Sequence, residues 1–475
     1  MPTTGHHTLI RGGEIVTDTR QFRADILMRG ESIEAIAPQI AAPTGCTTID
    51  ARDMLVFPGF IDPHVHIHLP FMGTLAKDTW ETASKAALLG GTTTMIEMVC
   101  PASGDDPTAA LEVWMSNARD RSACDYSFHM GVTRWDDTTE AALTSIVRRG
   151  VASFKVFLAY KGALGIGDEI LYRTLALASR LGVVVTAHCE NETLIAELSR
   201  ELLAAGRTGP EAHHDSRPPR VEASGVDHLM TFAELTGAET YIVHLSCAEA
   251  LERALAARAR GVRVGIETLI QYLVLDKEDA ERPNFEGAKF VMSPPLRDRS
   301  NQAVLWNALR RGDIDTVATD HAPFDFATQK RLGEHDFTKI PNGIPSLEER
   351  VKVLYGRGVA EGAIDLCTLV RVASTNAAKQ FGLHPRKGSI ALGADADLVI
   401  FDPRARSTIS ARTHASAVDY SAFEGMSVAG AVRDVWVRGA RAVEDGRFVG
   451  RVGHGRFLAR PHRSASLSMS GGTHG

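Results

Sequence analysis

The sequence predicts an α/β protein: a (β/α)8 barrel of parallel strands, with a small β-sandwich domain formed from both chain ends. Three observations point there. Short apolar runs recur through the middle of the chain, helical patterns follow them, and the two ends share an alternating, glycine-punctuated texture. The 475 residues are enough for a large barrel and a companion domain.

The first sixty residues look β-rich. Runs such as Ala24 to Arg29 alternate in polarity and are broken by Gly12, Gly13 and Gly30. The barrel strands follow as the apolar runs Phe60–His66, Thr92–Met98, Tyr126–Val132, Ser153–Leu158, Val183–His188, Tyr241–Leu245, Val262–Glu267 and Thr316–Asp320. Helical periodicity follows in Thr79–Leu89, Thr138–Arg149, Ile170–Leu181, Ala248–Arg260 and Gln302–Arg311. A long doubly wound sheet would alternate in the same way, so the motifs must decide. From about Gly388 to Val449 the β texture returns, and both ends carry an apolar strand closing in Arg-Gly, Ile26–Gly30 and Val435–Gly439. These two are expected to meet in one sandwich. The expected division is residues 1–60 with 385–460 for the sandwich, 61–384 for the barrel, and a flexible Ser/Gly-rich tail at 461–475.

Composition narrows the function. The chain is 44% hydrophobic and 23% charged, with a net charge of -6 that argues against a nucleic-acid partner. No apolar stretch is long enough for a bilayer, so no membrane partner is expected. Met1 to His7 lacks a basic region followed by an apolar run, and the six cysteines lack CxxC spacing. A cytoplasmic protein with reduced thiols is the expectation.

Five of the eight runs end in a residue able to bind metal. His64 and His66 stand two apart in Asp62-Pro63-His64-Val65-His66, so one strand face presents both. Lys155 sits in an apolar strand, where an unpaired ammonium is costly. It either snorkels to the rim or takes up CO2 as an anionic carbamate able to bridge two metals. His188 and His244 each close a β-branched run, as ligands or as hydrogen-bonded core histidines. Asp320 closes the last, as a ligand or as a cap for the next segment. Together they place four histidines, a lysine and an aspartate at the end of a barrel where active sites lie. Two divalent cations balanced by a carbamate, a carboxylate and a hydroxide would acidify bound water. Leu69, Pro70, Phe71, Met72, Phe157 and Leu164 flank these positions and are candidates for a pocket holding a ring substituent, with core packing the alternative for Phe157. His321 and Thr319 are expected to support the ligands rather than join them.

Other stretches complete a pattern: Gly59 to His66, Phe154 to Tyr160, Ser216-Arg217-Pro218-Pro219, His244-Leu245-Ser246, Ser293 to Arg297, Ala318 to His321, Pro341 to Pro345 and Phe381 to Pro385. With them the chain resembles the dihydropyrimidinase and hydantoinase family of the amidohydrolase superfamily, over all but the last dozen residues. The resemblance implies two zinc ions bridged by a carboxylated Lys155 and a hydroxide, one held by His64, His66, Lys155 and Asp320, the other by Lys155, His188 and His244. Manganese or cobalt would suit the same donors. It implies ring contacts at Tyr160, Ser293 and Asn342, and a homotetramer. It also implies hydroxide attack on a ring amide of a dihydropyrimidine or 5-substituted hydantoin, with Tyr160 at the oxyanion, Asp320 shuttling the proton and an N-carbamoyl amino acid as product. Allantoinase- or dihydroorotase-like cyclic amidases and a catalytically inactive, dihydropyrimidinase-related scaffold are the alternatives. His68 stands where dihydroorotases place a carboxylate-binding arginine, and all six ligand positions are filled. Cys189, Ala322 and the stretch Glu267 to Tyr272 depart from the commoner pattern, which bears on ring specificity.

Overall fold

The structure is a computed structural model and describes residues 6–461. The expected tail therefore lies, apart from Pro461, outside the described residues.

Eight parallel strands pair in chain order: Phe60–Val65, Thr92–Val99, Asp125–Gly131, Ser153–Lys161, Val184–His188, Glu239–Ile242, Val264–Leu269 and Thr316–Ala318. They match the eight apolar runs, and most are buried along their whole length, as strands covered on both faces must be. The register sets Lys155 opposite Thr186 and Phe157 opposite His188. The first and last strands close the barrel just beyond their ends. There the Asp320 N–H donates to the His64 carbonyl (2.9 Å) and the His66 N–H to the His321 carbonyl (2.8 Å). Three candidate ligands thus sit on the closing seam.

The helices run where periodicity placed them, as Trp80–Leu89, Thr139–Arg148, Asp168–Leu181, Ala248–Ala259 and Ser300–Arg311. Thr79 caps the first with a reciprocal hydrogen bond to Thr82. Three further long helices, Pro107–Ala118, Glu192–Ala204 and Pro219–Thr236, and several short ones fall where the sequence names none. No helix among the described residues is long and apolar enough to cross a membrane.

Both chain ends enter one nine-stranded sheet. Leu55–Pro58 is its hinge, antiparallel to Leu398–Thr408 on one side and parallel to His7–Val16 on the other. The two Arg-Gly strands do not pair directly, because three strands separate them. The sheet instead curls until their ends touch: a Cβ on Gly439 would lie 1.9 Å from the Gly30 carbonyl oxygen, so only glycine fits there. Ile10, Ile26, Val56, Leu398 and Trp436 fill its core.

Buried charge ties this sheet to the barrel. Lys387 lies 2.7 Å from both Asp125 and Asp397, and Arg438 pairs with Asp125. Two buried arginines fill the barrel floor, at the starts of the strands. Arg350 donates to the carbonyls of Ile61 and Val317 and to Thr92. Arg460 donates to the Phe128 carbonyl and to the hydroxyls of Ser127 (2.9 Å) and Ser153 (2.7 Å). The segment carrying Arg460 hydrogen-bonds along the third strand, through the Tyr126 N–H to the Arg456 carbonyl and the Leu458 N–H to the Tyr126 carbonyl.

Candidate metal centre and active site

At the strand C-termini one cleft is lined by the six candidate ligands, the polar trio Tyr160, Ser293 and Asn342, and the apolar candidates Leu69, Phe71, Phe157 and Leu164, while Pro70 and Met72 lie in the neighbouring cavity instead. The Nε2 atoms of His64 and His66 each lie 3.1 Å from the same oxygen of Asp320. The donor atoms of these three all lie within 4.8 Å of one another. His188 Nδ1 and His244 Nε2 face each other at 2.9 Å. The His64 and His244 rings, 5.5 Å apart, link the two groups. Lys155 enters from the fourth strand, fully buried, with no hydrogen-bond partner for its amine.

Three of these residues hold backbone conformations that side-chain-bearing residues rarely adopt: Tyr160 (φ 66°), His244 (φ 44°) and Asp320 (φ 50°). Each costs on the order of 1–3 kcal/mol and persists only where the surroundings enforce it. They sit where the strands end and the chain turns across the cleft.

Two buried carboxylates orient two of the imidazoles from behind. Glu267 accepts from His64 Nδ1 (2.7 Å), from the His244 N–H (2.9 Å) and from the Tyr241 hydroxyl (2.9 Å). Glu190 lies 2.9 Å from His188 Nε2 and 2.9 Å from an Arg217 guanidinium nitrogen. With one ring nitrogen committed outward, His64 and His188 each present the other to the cleft, whereas Glu267 reaches His244 only through its backbone N–H. His64 Nε2 makes no hydrogen bond although Asp320 stands within ion-pair distance, so the carboxylate lies off the ring's donor direction.

The electrostatics are those of a cation site. Burial opposes charge on His64, but the carboxylates of Asp320 and Glu267 overcome it and lift its pKa to about 9. Burial alone would raise Asp320; His64 and His66 hold it well below the usual carboxylate range. Burial lowers His66 to about 4 and Lys155 to about 8, against the pull of Asp320 on both. A buried set of imidazole nitrogens and a carboxylate, oriented by further carboxylates, fits divalent metal ions.

The polar trio faces this set. The Asn342 amide donates to Ser293 Oγ (3.0 Å) and, more weakly, to the Tyr160 hydroxyl (3.4 Å). Its own carbonyl oxygen is buried without a partner. The cleft opens past Phe71, Tyr160, Leu164 and Asn342 into a mostly apolar cavity of about 770 Å³, reaching Met72 and Trp114. The Phe71 ring packs edge-on against Tyr160, with centroids 5.2 Å apart.

Of the two expected supports, Thr319 reaches a candidate ligand, its hydroxyl lying 3.3 Å from the His64 carbonyl, whereas the His321 side chain bonds elsewhere. His321 Nδ1 accepts from the N–H groups of Ser346 (3.2 Å) and Leu347 (3.3 Å), so Nε2 carries the proton and donates to Asp78 (2.8 Å). Thr319 donates to Asp62 (2.7 Å). The sequence reading missed Glu267 and Glu190 as orienting groups. Both left a signal: Glu267 closes an apolar strand as Asp320 does, and Glu190 stands two residues after His188.

Comparison with known proteins agrees with this geometry. The amidohydrolase family profile matches residues 55–442. The D-hydantoinase of Geobacillus stearothermophilus is 45% identical over 461 residues, covering 97% of this chain and 98% of that protein. A Thermus sp. D-hydantoinase (dihydropyrimidinase) structure superposes with a TM-score of 0.94 at 54% identity, covering 96% of this chain and 99% of the other. The dihydropyrimidinase structure from Brevibacillus agri NCHU1002 gives 0.95 at 44% identity, with the same coverage. The chain belongs to the amidohydrolase family, in its hydantoinase and dihydropyrimidinase branch.

Proposed function

We propose that this protein is a metal-dependent cyclic amidohydrolase that opens 5-substituted hydantoins or 5,6-dihydropyrimidines to N-carbamoyl amino acids. The observation that carries this reading is the convergence of all six candidate ligands and the Tyr160–Ser293–Asn342 trio on one buried cleft. Relatives named D-hydantoinase make hydantoins of the D series the expected substrates. One divalent ion would be held by His64, His66 and Asp320 and another by His188 and His244, with Lys155 as a carbamate joining both. Bound zinc would supply Lewis acidity and a water acidic enough to react near neutral pH. The buried, unpartnered amine of Lys155, lowered to about 8, supports the carbamate, since neutral amine is what adds CO2.

The chain's own groups have distinct tasks. Tyr160 O–H donates to the carbonyl oxygen as negative charge develops there. The free carbonyl of Asn342 accepts from a ring N–H, and Ser293 fixes the Asn342 amide. Asp320 takes a proton and returns it to the leaving ring nitrogen. Phe71 and the apolar cavity take the ring substituent. We place the enzyme in the cytoplasm as a homotetramer. Its six free cysteines suit a reducing compartment.

Rates on dihydrouracil, hydantoin and an aryl hydantoin, with both enantiomers of the last, test the proposal. Hydrolysis of at least one, with zinc purifying stoichiometrically, is expected. A zinc-free protein that opens none of them would leave the scaffold alternative standing.

A further inference from the structure

Lys330 is a buried cation that, among the described residues, bonds to no carboxylate. It is wholly enclosed, in a short turn after the eighth strand. Its ammonium donates to three backbone carbonyls: Val291 (2.9 Å), Pro341 (2.6 Å) and Gly343 (2.7 Å). All three donors of an ammonium are thereby used. Burial lowers its pKa, and what faces the charge is these three carbonyl dipoles and the Phe324 ring, 6.0 Å from the ammonium.

The three carbonyls belong to the two loops that carry the polar trio's loop members. Val291 stands two residues before Ser293, and Pro341 and Gly343 flank Asn342. The Gly343 N–H closes the loops together by donating to the Val291 carbonyl (3.0 Å). Gly343 has φ 139°, and a Cβ there would meet the Ala322 carbonyl oxygen at 2.5 Å, so this loop also presses on the segment just past Asp320. Three carbonyl oxygens converging on one point repel one another unless a donor sits among them.

We infer that Lys330 is a positioning residue for substrate: its ammonium gathers the loops 291–293 and 341–343 so that Ser293 and Asn342 meet the ring in a preset geometry. The inference rests on the reading of Ser293 and Asn342 as ring contacts. It assigns Lys330 a task that no local motif suggests.

The test compares Lys330→Met, Asn342→Ala and the double variant in the zinc-loaded enzyme, with kinetics expressed per folded, metal-containing site. Hydrogen exchange at the Gly343 amide is measured in parallel. The expected result is a KM raised about tenfold or more in Lys330→Met, as for loss of a charged hydrogen bond. Exchange at Gly343 should quicken. The double variant should lose less than the two single losses combined, because both act on the Asn342 contact. If Asn342→Ala leaves KM unmoved, the ring-contact reading fails. If Asn342→Ala raises KM while Lys330→Met lowers only the folded fraction, the positioning role fails and Lys330 is structural. Should Lys330→Met not fold, Lys330→Gln, which keeps two of the donors, decides on the same readouts.

Discussion

Glu267→Gln should weaken metal binding while leaving the fold almost untouched. Glu267 accepts three hydrogen bonds, from His64 Nδ1, the His244 N–H and the Tyr241 hydroxyl. A glutamine of the same shape can set its carbonyl oxygen where Oε1 now meets His64 and His244. Its amide then faces Tyr241, whose hydroxyl can accept from it and turn its own proton to Thr316. The count of hydrogen bonds survives, so the stability change should stay within about 1 kcal/mol. The charge does not survive. His64 loses the anion that makes its other nitrogen a stronger donor to metal, and such outer partners are worth about 10–100-fold in affinity. That corresponds to about 1.4–2.7 kcal/mol at the metal. Zinc affinity by chelator competition and thermal unfolding of the zinc-stripped protein separate the two quantities. An unaltered zinc affinity, or a loss matched by equal destabilisation of the stripped fold, would refute the orienting role.

Asp320→Asn should retain ligand binding but lose about 10²–10⁴-fold in turnover, and full activity would exclude the proton shuttle. Loading stripped protein with zinc and 13C-bicarbonate should give a carbamate carbon signal that Lys155→Arg abolishes; its absence from the active wild type would overturn the carboxylated lysine. Phe71→Ala should change the preference for aryl over unsubstituted hydantoin by about tenfold, since it removes an aromatic wall; identical ratios across a substituent series would count against the pocket. The Glu190 carboxyl is pushed upward by burial but held down at about 2 by Arg217 and His188. With a folded pKa below its unfolded value, it contributes stability above about pH 4.5, and that contribution is lost as pH falls toward 2. Glu190→Gln should flatten the acid limb of the stability profile over that window, and an unchanged limb would count against the assignment.

Much of this molecule can be read along the chain because its chemistry is costly locally. Lys155 and Asp320 stand out as charges in apolar strands, and their burial is what makes them legible. The barrel strands and the five named helices are legible because periodicity is a local property. What depends on distant partners is not. The nine-stranded sheet joins Leu55–Pro58 to Leu398–Thr408, and no local pattern specifies that pairing or keeps the two Arg-Gly strands apart. The left-handed backbones at Tyr160, His244 and Asp320 run against residue preference, so propensity would exclude them. Glu267 was visible as a strand-closing carboxylate, but its three donors come from two other strands. Lys330 looks solvated, because the carbonyls that enclose it are supplied by folding.

Arg460 lends the barrel floor a consequence for biosynthesis. Arg460 follows Ser127 by 333 residues, so at about 5–20 residues per second the strands it seals will have waited tens of seconds for it. While that segment is still in the ribosome exit tunnel, the Phe128 carbonyl and the hydroxyls of Ser127 and Ser153 have no guanidinium to answer them. The opening strands of the chain face the same delay for their carboxy-terminal neighbours. The nascent barrel is therefore a vessel open at the base until that segment emerges, and the interval before it does is when a chaperone would find most to hold.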